Sequence, residues 1–334
     1  MKKRYLLAGI SGVIAGAVAT KLLTRPKDVS WPDSLDYIYH PEYSWFTTVD
    51  GVRVHYQEAG DENAPPIILI HGFISSTLIW SEVFLPLATQ GFHVVAPDLP
   101  GYGYSDKPAH GDYTIEFQAQ AVLGLMDRLG IKKATLVGAS YGAAIALAAA
   151  LDYPDRVDKL VLVGAVSDDE PKKKMLLRFS RLPIIGDIAT PLFLGSRWVL
   201  RKRMQEMYRR MGREINEQAV AARHHLLETA STHRAMLRTV RRWNANRLQR
   251  DAHQVRQPTL ILWGENDTHI PLSRGYRLRD AIADSRLIVF RNCGHLPPAE
   301  YPQKFVEVVS GFCKTETARD EKPRTLEFKQ KKTR

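Results

Sequence analysis

The sequence predicts an α/β fold, with a mostly parallel sheet, helices on both faces and an inserted helical lid. Short apolar segments of strand type alternate with amphipathic stretches of about 10 to 15 residues along most of the chain. Strands that are apolar throughout are typical of parallel sheets covered by helices on both faces. Between 166 and 255 no strand-like segment occurs, and the sequence there is helical in pattern and rich in arginine. This interruption predicts the lid.

The predicted elements follow in order along the chain. The turn pair Asp50-Gly51, which is typical of β-hairpins, separates the first two strands. Helices at 115–129 and 141–151 supply crossovers between later, parallel strands. The predicted strands lie at 45–48, 52–57, 67–70, 93–96, 134–137, 159–163, 259–263 and 286–290.

Residues 1–27 read as a targeting segment, with six basic side chains, no acidic ones and an apolar run at 5–20. The run is shorter than the about 20 residues of a spanning helix, but the Gly12-x-x-x-Gly16 spacing and further apolar residues beyond the run favour an uncleaved membrane anchor. The alternative is a signal peptide cleaved near the small residues at 17–19, which would give a secreted or periplasmic protein.

The other boundaries divide the chain into a linker, a core, a lid and a tail. Prolines predict an extended linker over 28–43. The core comprises 44–166 and 257–313, and the lid comprises 167–256. The tail, 314–334, is polar and charged and is predicted to be disordered.

The net charge of +11 is concentrated in a few segments, and the segment 171–256 alone holds 20 basic and 6 acidic side chains. A basic insert on an acidic body fits an anionic surface such as phospholipid or nucleic acid, and it fits equally well a helix exterior of solvated arginines. The segment lacks a nucleic-acid-binding motif, so nucleic acid is not an expected partner. Cys293 and Cys313 are too few for a disulfide framework and are interpreted as free thiols.

The segment Gly138-Ala-Ser140-Tyr-Gly142 follows a predicted strand and precedes a predicted helix. In this context the G-x-S-x-G pattern predicts a strained turn that lifts Ser140 above the sheet, with small residues on either side because the backbones nearly touch. The N-terminus of the following helix would face a developing oxyanion. Ser140 is therefore the candidate nucleophile.

A second glycine turn, His71-Gly72-Phe73, follows the strand at 67–70. A loop at this place can bring a further backbone N–H group to the serine, so the N–H groups of Phe73 and Tyr141 are candidate oxyanion donors. His71 itself is interpreted as a structural residue that holds the glycine loop by hydrogen bonds.

A serine nucleophile needs an imidazole to accept its proton and a carboxylate to orient that imidazole. Glu265 and Asp267 follow the strand at 259–263, and His295 follows the strand at 286–290. The order serine, aspartate, histidine is the one expected on this architecture. The histidines of the lid lack metal-ligand spacing alongside carboxylates, and no metal site is predicted.

Together these motifs resemble the α/β-hydrolase fold family of serine hydrolases. The resemblance covers about 45–312 and includes a glycine-rich turn at 98–106 in addition to the motifs above. It implies that Asp267 is the catalytic acid. Some members of the family place the acid after the preceding strand, where Asp168 and Asp169 stand in this sequence. No cofactor is expected.

The serine at the elbow argues against epoxide hydrolases and haloalkane dehalogenases, which need an aspartate there. The expected function is hydrolysis of carboxylic esters of apolar acyl chains through an acyl-enzyme on Ser140, as in the membrane-associated monoacylglycerol lipases that the sequence resembles. Alternatives on the same triad are carbon–carbon bond hydrolysis of ring-fission products and removal of proline by an aminopeptidase. Expected partners are a small-molecule ester or lipid and the membrane surface. The predicted acyl-pocket residues are Leu176, Phe179, Ile184, Ile185, Leu192 and Phe193.

Overall fold

The structure is a computed structural model of the chain. It describes residues 26–168, 182, 186–187, 195–315 and 325–326. The predicted targeting segment therefore lies almost entirely outside the described residues, as does most of the first part of the predicted lid. No helix within the described ranges is long and apolar enough to cross a membrane.

The described strands form one sheet, in the order β1-β2-β4-β3-β5-β6-β7-β8-β9. β1 and β2 form the antiparallel hairpin, β2 also pairs antiparallel with β4, and every other neighbouring pair is parallel. The prediction of an α/β fold with a mostly parallel sheet is confirmed. The strands are β1 Ser44–Val49, β2 Val52–Ala59, β3 Pro66–Ile70, β4 His93–Pro97, β5 Ala134–Ala139, β6 Val157–Val163, β7 Thr259–Gly264, β8 Ser285–Phe290 and β9 Thr325–Leu326.

Helices pack on both faces of this sheet because successive residues of the central strands point to opposite sides. In β6, Leu162 lies in one apolar cluster, whereas Val161 and Val163 lie in the other. Helices α2, α3 and α8 contribute to the first cluster, and α1 and α10 contribute to the second. The α-helices with described bounds are α1 Phe84–Thr89, α2 Ile115–Arg128, α3 Tyr141–Asp152, α4 Arg197–Arg210, α5 Glu217–Leu227, α6 Ala230–Arg242, α7 Asn246–Asp251, α8 Ser273–Ala281, α9 Pro297–Glu300 and α10 Pro302–Cys313.

A helical insertion, α4 to α7 in its described part, connects β6 to β7. Side-chain caps start two of its helices, because Asn216 accepts a hydrogen bond from the N–H of Ala219 and Thr229 accepts one from the N–H of Thr232. The insertion contacts the core where the predicted site residues lie. The hydroxyl of Tyr102 is 2.7 Å from that of Thr239 on α6.

The segment 28–43 differs from the extended linker that the sequence predicts. It contains two short 3-10 helices, Pro32–Tyr37 and Pro41–Tyr43. Trp31 and Tyr37 belong to a small apolar cluster with Leu226 of α5. The ring of Tyr37 also stacks on His225, with centroids 4.5 Å apart. The prediction of an extended linker is wrong because aromatic side chains fold this segment against the insertion.

Part of the C-terminal tail forms a short strand. Thr325 and Leu326 form β9, which pairs in parallel with Val289 and Phe290 of β8 at the edge of the sheet. A sheet edge offers unpaired backbone groups to any extended segment that can reach it. Disorder of the tail stays a prediction, because its other residues beyond 315 lie outside the described residues. Both cysteines are free, in agreement with the sequence analysis.

Candidate active site

Ser140 lies in the turn between β5 and α3 and has an unusual backbone conformation. Its φ is +56° and its ψ is −112°, a combination that costs a non-glycine residue about 1 to 3 kcal/mol. Backbone hydrogen bonds hold the turn, because the N–H of Ser140 donates to Val163 at 2.8 Å and its carbonyl accepts from Val166 at 3.2 Å. A Cβ on Gly138 or Gly142 would overlap neighbouring backbone atoms. The glycines are therefore required by the close approach of the chain.

The His71-Gly72-Phe73 loop passes directly beside this turn. A Cβ on Gly72 would lie 3.1 Å from the carbonyl oxygen of Ala139 and 3.3 Å from Cβ of Ser140. Within the described part of the chain, no acceptor bonds to the backbone N–H of Phe73 or of Tyr141. Neither candidate oxyanion donor is therefore occupied by a backbone acceptor of the described residues.

His71 holds this loop from inside the core. Its Nδ1 donates to the carbonyl of Gly72 at 2.8 Å, and its Nε2 accepts from the N–H of Leu99 at 3.0 Å. Burial lowers the pKa of the imidazole below its ordinary value, although the nearby Asp98 carboxylate opposes this shift. His71 is thus a neutral side chain whose two ring nitrogens both form hydrogen bonds. It has the structural role that the sequence predicts.

Asp267 and His295 meet at the ends of β7 and β8. Nδ1 of His295 lies 2.7 Å from Oδ2 of Asp267, whose side chain is fully buried. Oδ1 of Asp267 accepts hydrogen bonds from the N–H groups of His269 and Ile270 at 2.7 and 2.9 Å. Burial raises the pKa of the carboxyl, but the hydrogen bond and charge of His295 together with the two N–H donors outweigh it, so the pKa falls below its ordinary value. Asp267 therefore stays ionised and fixes the orientation of the imidazole.

Asp168 and Asp169 are the alternative positions for the catalytic acid. Asp168 follows β6, and its carboxylate forms an ion pair with Arg274. Asp169 lies outside the described residues. Directly after β6, Gly164 approaches the imidazole, since an added Cβ there would lie 3.2 Å from Nδ1 and Cε1 of His295. Asp267 is the carboxylate that contacts His295.

Ser140 and His295 line the same cavity, which has a volume of about 210 Å³. The described insertion covers this cavity through α4 and α5. Within the described ranges, no group of three or more His, Cys, Asp or Glu side chains is arranged to hold a metal ion. The apolar residues that line the cavity are Phe73, Ile74, Leu78, Ile79, Leu200, Met204, Met207, Leu226, Leu227 and Leu296.

The cavity also contains residues that the sequence motifs do not indicate. Arg203 and Arg210 of α4 and Arg223 of α5 line it, as does His269, whose ring stacks on His295 with centroids 5.0 Å apart. Leu200, Arg203, Met204, Met207 and Arg210 have the spacing of one face of α4. This spacing is the sequence signal that indicates a shared surface for these residues. The predicted acyl-pocket residues are a separate set, and all of them lie outside the described residues. They are Leu176, Phe179, Ile184, Ile185, Leu192 and Phe193.

A buried carboxylate, Glu300, connects the insertion to the loop that carries His295. Its Oε2 accepts hydrogen bonds from the N–H of Gly294 at 3.0 Å and from Nε of Arg210 at 3.1 Å. Its side chain is 1% exposed. Because hydrogen bonds to charged groups are about twice as strong as neutral ones, Glu300 fixes the position of the residue directly before His295.

The strand ends of the parallel sheet carry a strained serine turn, an imidazole and a buried carboxylate beside an apolar cavity. This arrangement defines a hydrolase of the α/β type. The chain belongs to the family described as alpha/beta hydrolase fold, which it matches over residues 65–300.

Several relatives and solved structures are similar to this chain. An uncharacterized hydrolase, YugF, of Bacillus subtilis is 29% identical over 80% of this chain and 96% of the relative. The 2-hydroxy-6-oxo-6-phenylhexa-2,4-dienoate hydrolase of Comamonas testosteroni is 30% identical over 78% of this chain and 90% of the relative. The crystal structure of a membrane phospholipase A, a bacterial virulence factor, aligns with a TM-score of 0.70 and 25% identity, covering 94% of this chain and 98% of the other.

Proposed function

We propose that the protein is a serine hydrolase of carboxylic esters with apolar acyl chains. The proposed nucleophile is Ser140, the proposed base is His295 and the proposed acid is Asp267. The observation that carries the proposal is the 2.7 Å contact between His295 and a buried, ionised Asp267, with the imidazole lining the same cavity as Ser140. An imidazole whose Nδ1–H is held by a carboxylate presents an unprotonated Nε2 to a serine hydroxyl.

In the proposed mechanism, Oγ of Ser140 attacks the ester carbonyl while Nε2 of His295 takes its proton. The negative charge that forms on the carbonyl oxygen is stabilised by the N–H groups of Phe73 and Tyr141. Collapse of this intermediate expels the alcohol, which receives the proton from His295, and leaves an acyl group on Ser140. Water then repeats the sequence, with His295 as its base, and releases the carboxylic acid.

The cavity wall supports an apolar acyl group as the part of the substrate that the protein recognises. Leu226 and Leu227 of α5 and Met204 of α4 are buried side chains that line it. Each buried methylene of a bound chain contributes about 0.8 kcal/mol. The predicted residues from 176 to 193 would extend this pocket, and they remain part of the proposal.

A panel of p-nitrophenyl esters and monoacylglycerols of graded chain length tests this assignment. We expect kcat/KM to rise with each added methylene until the cavity is filled, by about fourfold per methylene for full burial. If the protein hydrolyses the acetate ester as efficiently as the longer esters, or hydrolyses no ester of the panel, the apolar acyl specificity is contradicted.

Carbon–carbon bond hydrolysis is the second candidate function. It is favoured by one observation, the similarity to the 2-hydroxy-6-oxo-6-phenylhexa-2,4-dienoate hydrolase over most of both chains. Adding this ring-fission product to the substrate panel separates the two candidates. A kcat/KM for the ring-fission product well above that of every ester would make carbon–carbon hydrolysis the function.

We also propose that residues 1–27 hold the protein at a membrane. Their composition and the alignment with a membrane phospholipase A over 94% of this chain support this proposal. The full chain is expected to stay in the membrane fraction at about 1 M salt, where charge attraction is screened, and to be released by detergent. The matched control, a chain that begins at 28, is expected in the supernatant. Recovery of a soluble chain beginning near Thr20 would instead favour the cleaved signal peptide.

A further inference from the structure

One side of the cavity beside Ser140 is basic. Arg203 and Arg210 line it from α4, and Arg223 lines it from α5. Arg210 is neutralised by Glu300, with Nε and Oε2 at 3.1 Å. Two arginines of the cavity wall therefore remain to be explained.

Arg203 and Arg223 differ from most arginines of the insertion in their partners. Within the described residues, no carboxylate lies at ion-pair distance from either of them, and the contact of Arg223 is Nη1 to Sδ of Met204 at 3.9 Å. By contrast, Arg201 pairs with Glu217 at 2.7 Å and Arg209 pairs with Glu206 at 2.9 Å. Solvation on a helix exterior accounts for paired arginines and for exposed ones away from a cavity. It does not account for Arg223, which is partly buried and faces the cavity; Arg203 is more exposed but lines the same cavity.

The surroundings of Arg223 make an unpaired charge costly there. Burial lowers the pKa of its guanidinium, and the hydroxyls of Tyr208 and Tyr39 oppose the shift. A guanidinium stays charged even so, because its ordinary pKa is far above neutrality. A partly buried charge without a partner is unfavourable, and an anion that enters the cavity would reduce that penalty.

Arg223 also stands at the boundary between two cavities. Leu78, Ile79, Met207 and Arg223 line both the cavity at Ser140 and a neighbouring one of about 90 Å³. The neighbouring cavity is more polar than the first. The polar residues that line it are Tyr39, Ser81, Glu82, Tyr208, Arg213, Asn216 and Arg223. An apolar chain at Ser140 would thus end beside a charged and polar region.

We propose that Arg203 and Arg223 form a subsite for an anionic group, a phosphate or a carboxylate, on the ester that the protein hydrolyses. This inference rests on the proposed function, because it names the class of ester. The substrate then combines an apolar chain, which fills the cavity beside Ser140, with a negative group that the two guanidinium groups bind at its polar boundary.

Two matched pairs of substrates test the subsite in the full chain. The phosphate pair is 1-decanoylglycerol-3-phosphate and 1-decanoylglycerol, and the carboxylate pair is mono-p-nitrophenyl adipate and p-nitrophenyl hexanoate. We expect the charged member of at least one pair to have the higher kcat/KM, and the pair that shows this identifies the anion. Arg223→Gln and Arg203→Gln should each lower the charged-to-neutral ratio about tenfold, chiefly through KM.

Arg209→Gln is the matched control, because it removes the same charge from an exposed position on α4 outside the cavity. It should leave the ratio unchanged. Arg223→Lys keeps the charge and should retain most of the preference. Arg203 is exposed, so its variant keeps the test valid if Arg223→Gln does not fold. Ratios that are unaffected by both glutamine variants would overturn the subsite.

A binding experiment separates failure of the subsite from failure of the proposed function. In a Ser140→Ala background, calorimetry with octyl phosphate and 1-octanol should show tighter binding of the phosphate, and adding Arg223→Gln should abolish the difference. Equal binding of the two probes, together with no preference in either substrate pair, overturns the subsite. Preferential binding of octyl phosphate by a protein that hydrolyses no ester would support the subsite and reject the esterase function.

Discussion

Ser140→Ala is expected to reduce kcat for the best ester by about 10⁶, because removing the nucleophile of a triad costs about as much as removing the whole triad. The fold should be unchanged, since alanine is smaller than serine and the turn is held by the backbone hydrogen bonds of residue 140 rather than by its hydroxyl. Initial rates and covalent labelling by a fluorophosphonate measure the effect, and thermal unfolding checks the fold.

The control for this experiment is Ser273→Ala, which changes an exposed serine at the start of α8. This variant should keep both its activity and its labelling. Ester turnover by the Ser140→Ala protein that remains far above spontaneous hydrolysis would show that another group is the nucleophile.

Asp267→Asn is expected to lower kcat by about 10⁴, because an amide stabilises the wrong tautomer of the imidazole while leaving the geometry nearly intact. KM should change little, since the side chain is buried and does not line the cavity. Steady-state kinetics on a p-nitrophenyl ester at neutral pH measure both constants.

Asp168→Asn provides the comparison for this second experiment. Asp168 pairs with Arg274 and should therefore have only a small effect on kcat. A large loss in Asp168→Asn or Asp169→Asn, with Asp267→Asn remaining active, would place the acid after β6 instead.

The sheet and the proposed triad could be predicted from sequence because their signals are local. Buried strands are apolar throughout, and a chemical group at the exit of a parallel strand reaches the same edge of the sheet as its neighbours. Ser140, Asp267 and His295 each lie within about five residues of the end of such a strand, so their order and spacing carry the information. The glycines of the serine turn add a steric signal, since a side chain at Gly138 or Gly142 would overlap the backbone.

The cavity wall and the segment before the core could not be predicted in this way. The spacing of Leu200, Met204 and Met207 indicates a shared face of α4, but an arginine on a helix reads as solvated until the packing of α4 and α5 over Ser140 is known. Nothing local therefore distinguishes Arg223 from Arg209. Prolines in 28–43 are compatible with an extended chain, whereas the packing of Trp31 and Tyr37 depends on distant residues of α5. Such contacts are tertiary, and they override the local preference of the backbone.

The double engagement of Glu300 limits how the specificity of this protein can be redesigned. A change at Arg210 on the face of α4 would remove a hydrogen-bond partner of Glu300, whose carboxylate also accepts the N–H of Gly294 beside His295. Libraries that vary Leu200, Met204 and Met207 while keeping Arg210 would alter the shape of the cavity without disturbing that support. Libraries that also vary Arg210 would change substrate binding and the support of the His295 loop together. A lower activity in such a variant could then not be assigned to either cause.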